Sequence, residues 1–252
     1  MQITDTAAIV TGGASGLGAA TAQALAAKGT KVFAVDLANG ISGAPAVDGV
    51  TYFEADVTDA EQVQAAVEQA ASAGVPLRTV VNCAGIGPSA RILSKRGAHD
   101  LALFRKVVEI NLIGTFTVIT LAAEAIAKTE PLADGARGVV INTASVAAFD
   151  GQIGQVAYSA SKGGVAGLTL PAARDLASHG IRVVTIAPGI IDTPMLATVS
   201  EDFRAGLAAG VPFPKRLGRP SEYAQLAVDI IEHDYLNGEV IRLDGALRMA
   251  PR

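Results

Sequence analysis

Little in this chain points toward disulfide, metal or nucleic-acid chemistry. Cys83 is its only cysteine, so no intrachain disulfide can form and nothing calls for an oxidising compartment. Tryptophan is absent, and aromatic residues make up 4% of the 252. The core must therefore be built from Ala, Val, Ile and Leu, which suits helices packed closely on a sheet. Charged residues are scarce at 17%, against 50% hydrophobic, a balance that fits strands covered on both faces. His99, His179 and His233 are scattered without ligand spacing, so no metal is expected. The net charge of −4 argues against a surface that grips a phosphate backbone, so no nucleic-acid partner is expected. No uninterrupted apolar run reaches the ~18 residues of a membrane span, and no membrane partner is expected either. The stretch Met1–Asp5 leads almost at once into an apolar run, with neither a basic region nor an arginine-rich amphipathic segment. The expectation is a cytoplasmic protein.

What is present is a regular alternation. Short β-rich runs are expected at Ala7–Thr11, Lys31–Val35, Thr51–Ala55, Thr79–Asn82, Val139–Thr143, Arg182–Ala187 and Val240–Leu243. Helical stretches are expected between them at Gly16–Lys28, Asp59–Ala73, Leu101–Lys128, Tyr158–Ser178 and Ser221–Glu232. Strands separated by helices imply crossover connections and a parallel sheet with helices on both faces. No linker or repeat divides the chain, so residues 1–252 are expected to form one α/β domain. Two segments break the rhythm. Pro88–Asp100 is polar and basic, with Arg91, Lys95 and Arg96, and Thr193–Leu217 is apolar and ends proline-rich. Both follow the carboxyl ends of expected strands, where open α/β sheets bind ligands.

The first strand runs into Thr11-Gly12-Gly13-Ala14-Ser15-Gly16-Leu17-Gly18, which opens a helical stretch. Gly12, Gly16 and Gly18 are spaced G-x-x-x-G-x-G, a variant of the dinucleotide fingerprint. Glycines let the backbone approach a pyrophosphate, and the helix start offers amide hydrogens and a positive dipole end. Asp36 closes the second strand 18 residues beyond Gly18, near the offset at which an acidic residue hydrogen-bonds the adenosine ribose. A carboxylate there accepts from two hydroxyls and repels a 2′-phosphate, which selects NAD over NADP. Cys83, after the apolar Val80-Val81, reads first as a small buried residue. Asp56 reads either as a cofactor contact or as a cap for the following helix.

Tyr158 and Lys162 lie four residues apart, one above the other on a helix, with Ser145 thirteen residues before the tyrosine. A cation beside a phenol favours the phenolate and is expected to lower its pKa toward the working pH. Ser145, beyond Val139-Val140-Ile141, can hydrogen-bond the same substrate oxygen from a second side. Gln155 precedes the tyrosine by three positions on the same helix face and is a candidate substrate contact, with Gln152 a weaker one.

Taken in order, Gly12-x-x-x-Gly16-x-Gly18, Asn82-Cys83-Ala84-Gly85, Asn111, Ser145, Tyr158-x-x-x-Lys162 and Pro188-Gly189 resemble the short-chain dehydrogenase/reductase family over nearly the whole chain. The resemblance implies a single Rossmann-type doubly wound sheet, with a substrate lid at about 193–217. It implies NAD as cofactor, held by Gly12, Ser15, Gly16, Leu17, Gly18, Asp36, Asp56, Val57, Cys83, Ala84, Gly85, Tyr158, Lys162, Pro188, Gly189, Ile191 and Thr193. Ser15 agrees with NAD, because NADP-dependent members often carry a basic residue before the middle glycine. The catalytic set it implies is Asn111, Ser145, Tyr158 and Lys162. Tyr158 exchanges the proton, Ser145 holds the substrate oxygen, and Lys162 stabilises the phenolate and binds the nicotinamide ribose. Asn111 anchors a water that relays protons from the lysine.

Ile141–Phe149, Val211–Pro214 and Leu236–Gly245 resemble the branch of that family acting on 3-hydroxyacyl-CoA thioesters. They imply a short- to medium-chain (S)-3-hydroxyacyl-CoA as the small-molecule substrate, with possible action on hydroxysteroids. Arg91, Lys95 and Arg96 could then meet CoA phosphates. The alternatives are a 3-oxoacyl-carrier-protein reductase, which Asp36 and Ser15 weigh against because that reaction normally uses NADPH, and a dinucleotide-binding scaffold without chemistry. A homotetramer is also implied, with long helices pairing across one two-fold axis and last strands across another. In it, Met249–Arg252 would reach a neighbour's pocket.

Overall fold

The computed structural model describes residues 1–95, 97–196 and 200–251. Arg96, residues 197–199 of the expected lid, and Arg252 lie outside the described residues. The chain begins β1 (Ala7–Thr11), α1 (Gly16–Ala26), β2 (Lys31–Asp36), α2 (Ala38–Ile41), β3 (Val50–Glu54), α3 (Ala60–Ala71) and β4 (Leu77–Asn82). A short hairpin, β5 (Leu93–Ser94) with β6 (Gly97–Ala98), precedes α4 (Leu101–Val108) and α5 (Thr115–Ala127). Then come β7 (Gly138–Thr143), α6 (Val156–Leu176), β8 (Ile181–Pro188), α7 (Glu201–Ala209), α8 (Pro220–Glu232) and β9 (Val240–Leu243).

Seven strands form one parallel sheet in the order β3-β2-β1-β4-β7-β8-β9. The chain winds outward through β2 and β3, returns to the middle, and winds the other way through β4. The exits of β1 and β4 therefore diverge at the centre and open a crevice at the carboxyl edge. Side chains alternate across the sheet. Ile9, Val80 and Val140 face α3, α5 and α6, while Val10, Val81 and Ile141 face α1 and α8. Burial on both faces explains the unbroken apolar runs at the centres of β1, β4 and β7, with polar residues confined to the strand ends.

The expected long helix over Leu101–Lys128 is one run with a defect. Between α4 and α5, Glu109–Gly114 form a wider π turn. Gly114 lies so close to Val57 that a Cβ there would come 2.7 Å from Val57 Cγ2, so the run presses against the β3 exit at that point. By length and composition, Leu101–Ala127 would suffice to cross a bilayer, with mean hydropathy 1.7, and 44% of that apolar window is buried in the fold. The hairpin β5–β6 and helix α7 lie in the two segments that break the rhythm. Two-residue strands are too short for a periodic signal, and α7 lies just before the stretch whose prolines dominate the reading.

Candidate active site

The carboxyl edge gathers nearly all the residues singled out above. Gly12 adopts φ +64°, and a Cβ there would lie 2.9 Å from Ala84 N, so the turn after β1 rests on the β4 exit. A Cβ on Gly18 would fall 2.1 Å from the Gly12 carbonyl, so α1 starts directly beneath the turn. The Ser15 side chain makes no capping bond, leaving the amides of Gly16, Leu17 and Gly18 at an uncapped helix start. The carboxylate of Asp36 is fixed beside this loop: Oδ2 accepts from Ala14 N at 3.0 Å and Oδ1 from Leu37 N at 2.8 Å.

Asp56 is not the cap of α3. Its Oδ1 accepts from Thr58 N and Thr58 Oγ1, while Asp59 caps the helix through Glu61 N and Gln62 N. Val57 is buried against Gly114. Beyond β4, Cys83 N donates to Thr11 O at 3.1 Å and Ala84 N to Thr11 Oγ1 at 3.2 Å, tying the loops on either side of the crevice. Pro188 and Gly189 close β8, with Gly189 N donating to Leu243 O, and Ile191 bridges to Gly218. Thr193 returns toward the glycine loop, 3.5 Å from where a Gly16 Cβ would stand.

Asn111 is wholly buried. Its Oδ1 accepts from Ile86 N at 2.8 Å, and its Nδ2 donates to Ile86 O at 2.9 Å and to Ser161 Oγ at 3.0 Å. The side chain thus clamps the loop after β4 onto α6. Ser145 caps a single turn after β7, accepting from Ala147 N at 3.1 Å, and its hydroxyl is near enough to the Tyr158 phenol to lower the phenol's pKa. Lys162 stands one turn along α6, with its ammonium 5.9 Å from the Tyr158 ring centre. Gly85 lies close above it; a Cβ there would come 3.1 Å from Asn111 Oδ1 and 3.5 Å from Lys162 Nζ.

The electrostatics correct one expectation. Burial pushes the Tyr158 phenol up from its ordinary value, and the Ser145 hydroxyl pulls it down only in part. The Lys162 ammonium is turned to the Thr143 carbonyl at 2.7 Å rather than to the phenol. Burial lowers its own pKa to about 8, with the Cys83 thiol opposing. Desolvation is the larger cause at both groups, so Tyr158 stands as a neutral phenol with a proton to give. Cys83 is partly buried, and burial raises its thiol.

Gln155 and Gln152 shape the loop before α6. Gln155 Oε1 accepts from Gln152 N at 2.9 Å, and Gln152 Nε2 donates to Ala250 O at 2.9 Å. Ile153 N donates to Pro251 O at 3.0 Å, so the tail up to Pro251 lies along this loop. Arg242 secures that corner through Asp150 and Asp244, over the Phe149 ring. Between this loop and the stretch before β5 lies a cleft of about 460 Å³, lined by Arg91, Ile92, Leu93, Ile153, Val156 and Ser159 among others. Thr143 was not singled out from the sequence, because it serves through its carbonyl, which every residue has. Ser161 carried a signal, lying between Tyr158 and Lys162.

A parallel doubly wound sheet with a glycine loop, a ribose-side carboxylate and a Ser–Tyr–Lys group at its carboxyl edge defines a nucleotide-dependent dehydrogenase architecture. The short chain dehydrogenase model matches residues 6–204, and the chain belongs to that family of oxidoreductases. It is 53% identical to the 3-hydroxyacyl-CoA dehydrogenase type-2 of Bos taurus, over 97% of this chain and 95% of that protein. The Drosophila melanogaster protein of the same name is 52% identical, over 99% of this chain and 100% of its own. A crystal structure of 3-hydroxyacyl-CoA dehydrogenase type-2 from Mycobacterium avium matches with TM-score 0.92 and 44% identity, covering 98% of each chain.

The buried ammonium generates a stability prediction. Below about 8, Lys162 is charged in both folded and unfolded chains, and the folded state bears the full desolvation cost. As pH rises from there toward the ordinary lysine value of 10.5, the folded lysine is neutral and the cost disappears. Lys162→Met is therefore expected to unfold at a higher temperature than the wild type at pH 7, with the gain shrinking above pH 8. Calorimetry across that range checks it, and a variant less stable at every pH would contradict it.

Proposed function

We propose that the protein catalyses reversible, NAD-linked oxidation of the hydroxyl of a 3-hydroxyacyl-CoA thioester. The observation that carries the reading is the convergence of Ser145, Tyr158 and Lys162 beside a loop marked for NAD by Asp36. NAD, when bound, supplies the hydride acceptor. The residues present fit it: the uncapped start of α1 suits a pyrophosphate, and the Asp36 carboxylate, held rigid by Ala14 N and Leu37 N, suits ribose hydroxyls and disfavours a 2′-phosphate. Asp56, Val57, Cys83, Ala84, Gly85, Pro188, Gly189, Ile191 and Thr193 complete the binding set around the same edge.

Within the site, Ser145 holds the substrate oxygen and Tyr158 exchanges a proton with it. Its raised pKa suits the donor role in carbonyl reduction. Lys162 steadies the phenolate when the proton leaves. Asn111 keeps the β4 loop and α6 in register, so that the lysine and tyrosine stay aligned. The thioester reading is supported by the names of the similar proteins and by the cleft beside the loop preceding α6, whose apolar Ile92, Leu93 and Ile153 suit an acyl or pantetheine arm. Arg91 and Lys95 stand nearby for phosphates. Steady-state comparison of acetoacetyl-CoA, longer acyl-CoAs, a carrier-protein substrate and a steroid tests the assignment, and a carrier-protein preference would overturn it.

A homotetramer is part of the proposal. Leu101, Ile113 and Phe116 are exposed along α4, the π turn and α5, Leu170 is exposed on α6, and β9 is an open sheet edge. Second copies of the chain covering these surfaces would give two-fold contacts of both kinds. Light scattering at micromolar concentration should give about four times the chain mass of 25.5 kDa. A monomer mass would refute it.

Tyr158→Phe should cost about 10²–10⁴-fold in turnover while leaving NAD binding nearly intact, since it removes the hydroxyl that exchanges the proton and little volume. Near-wild-type turnover in that variant would exclude Tyr158 as the acid. Asp36→Ala with Leu37→Arg should relax or reverse the preference for NAD, by removing repulsion and supplying a phosphate partner. The assignment is wrong if the unmodified protein uses NADP and NAD with equal efficiency.

A further inference from the structure

Tyr223 has no place in the chemistry above, yet it is the bulkiest fully buried side chain among the described residues. It stands on α8, on the sheet face opposite α6, in the cluster that includes Val81, Ile141 and Ile186. A phenylalanine would fill that apolar space equally well, so the hydroxyl calls for its own explanation. A buried hydroxyl persists only where it is paired. Here it closes a ring of three groups. The Thr143 hydroxyl donates to Cys83 Sγ at 3.6 Å, the Cys83 thiol donates to Tyr223 Oη at 3.7 Å, and Tyr223 Oη lies 2.6 Å from Thr143 Oγ1. Either hydroxyl can be the donor in that short bond. Cys83 lies just past the end of β4 and Thr143 at the end of β7, so the ring fastens two neighbouring strand exits from behind.

Thr143 has a second duty on the opposite side. Its carbonyl accepts from Lys162 Nζ at 2.7 Å, and Ser145 follows two residues later. We propose that Tyr223 is a positioning residue of the reaction centre: its hydroxyl fixes Thr143 from across the sheet, and through the Thr143 carbonyl it sets where the Lys162 ammonium stands relative to Tyr158. The inference rests on the reading of Lys162 and Tyr158 given above. The titratable groups that face Lys162 are Tyr158 on its own helix and Cys83 from the β4 exit, while Asn111 from the π turn is neutral. Tyr223 lies behind Cys83 and Thr143 and touches no reacting atom. Its influence must therefore pass through geometry.

The test is Tyr223→Phe, measured for NADH-dependent reduction of acetoacetyl-CoA over a range of pH, with NADH affinity and melting temperature alongside. The expected result is a loss of about tenfold in kcat, the scale of one hydrogen bond acting on alignment. NADH affinity should be little changed, and the pH profile should be displaced from that of the wild type, because the ammonium is no longer held in one place. Thr143→Val removes the same bond from its other end and should reproduce the displacement. Thr143→Ser keeps hydroxyl and carbonyl and should stay within about twofold of wild type. The double variant Tyr223→Phe/Thr143→Val should lose no more than the worse single one. A wild-type kcat and pH profile in a Tyr223→Phe protein with a lowered melting temperature would overturn the proposal and leave Tyr223 a packing residue. Lys162→Met separates this from the parent reading. If that variant turns over normally, the reaction centre itself is misassigned; if it is inactive while Tyr223→Phe is normal, only the positioning role falls.

Discussion

A single buried charge sets the terms for the carboxyl edge of this fold. Lys162 is 5% exposed, and taking an ammonium out of water is costly unless polar groups replace the lost hydration. The chain meets that cost with the Thr143 carbonyl at the end of β7. For the carbonyl to be there, β7 must stop at a fixed depth and α6 must lie across it. The loop after β4 must pass close above, where Gly85 leaves room for both Lys162 and Asn111. The π turn before α5 places Asn111 beneath that loop, and its amide fastens Ile86 on one side and Ser161 on the other. Strand, loop and two helices thus converge on one cation.

The same burial explains the division of labour between tyrosine and lysine. An exposed Tyr–Lys pair on a helix would be governed by Coulomb attraction, and the phenol would ionise more readily. Inside the fold, desolvation is the larger effect at both groups, raising the phenol and lowering the ammonium to about 8. The two values move apart, leaving the phenol protonated while the lysine titrates nearer neutrality, so the environment assigns the two groups different roles. Ser145 is the polar partner that works in the other direction on the phenol.

Much of this was legible in the chain. The expected strands over Ala7–Thr11 and Val240–Leu243 have the observed bounds, and the others lie within two residues, because buried parallel strands are short apolar runs between helical periods. The glycine spacing and the offset to Asp36 placed those residues on neighbouring strand exits, where the fold has them. Other features lay beyond the sequence. Asp56 could cap the following helix on paper, and only the backbone path gives that bond to Asp59. The bond from Gln152 N to the Gln155 amide oxygen, which shapes the loop before α6, was likewise visible only in the fold. The bonds from Gln152 and Ile153 to the tail carry no sequence signal, because they end on the backbone carbonyls of Ala250 and Pro251.

The sequence by itself determined the alternation of strands and helices, the parallel sheet and the kind of chemistry, since these follow from local periodicity and from residue types at fixed spacing. Tertiary structure decided everything that depends on distance across the sheet. A backbone carbonyl such as that of Thr143 carries no sequence signal, and neither does the meeting of Tyr223, Cys83 and Thr143 from three separate elements. The direction of the tyrosine's pKa was likewise fixed only by folding, because desolvation depends on what surrounds a group in space and not on what precedes it in the chain.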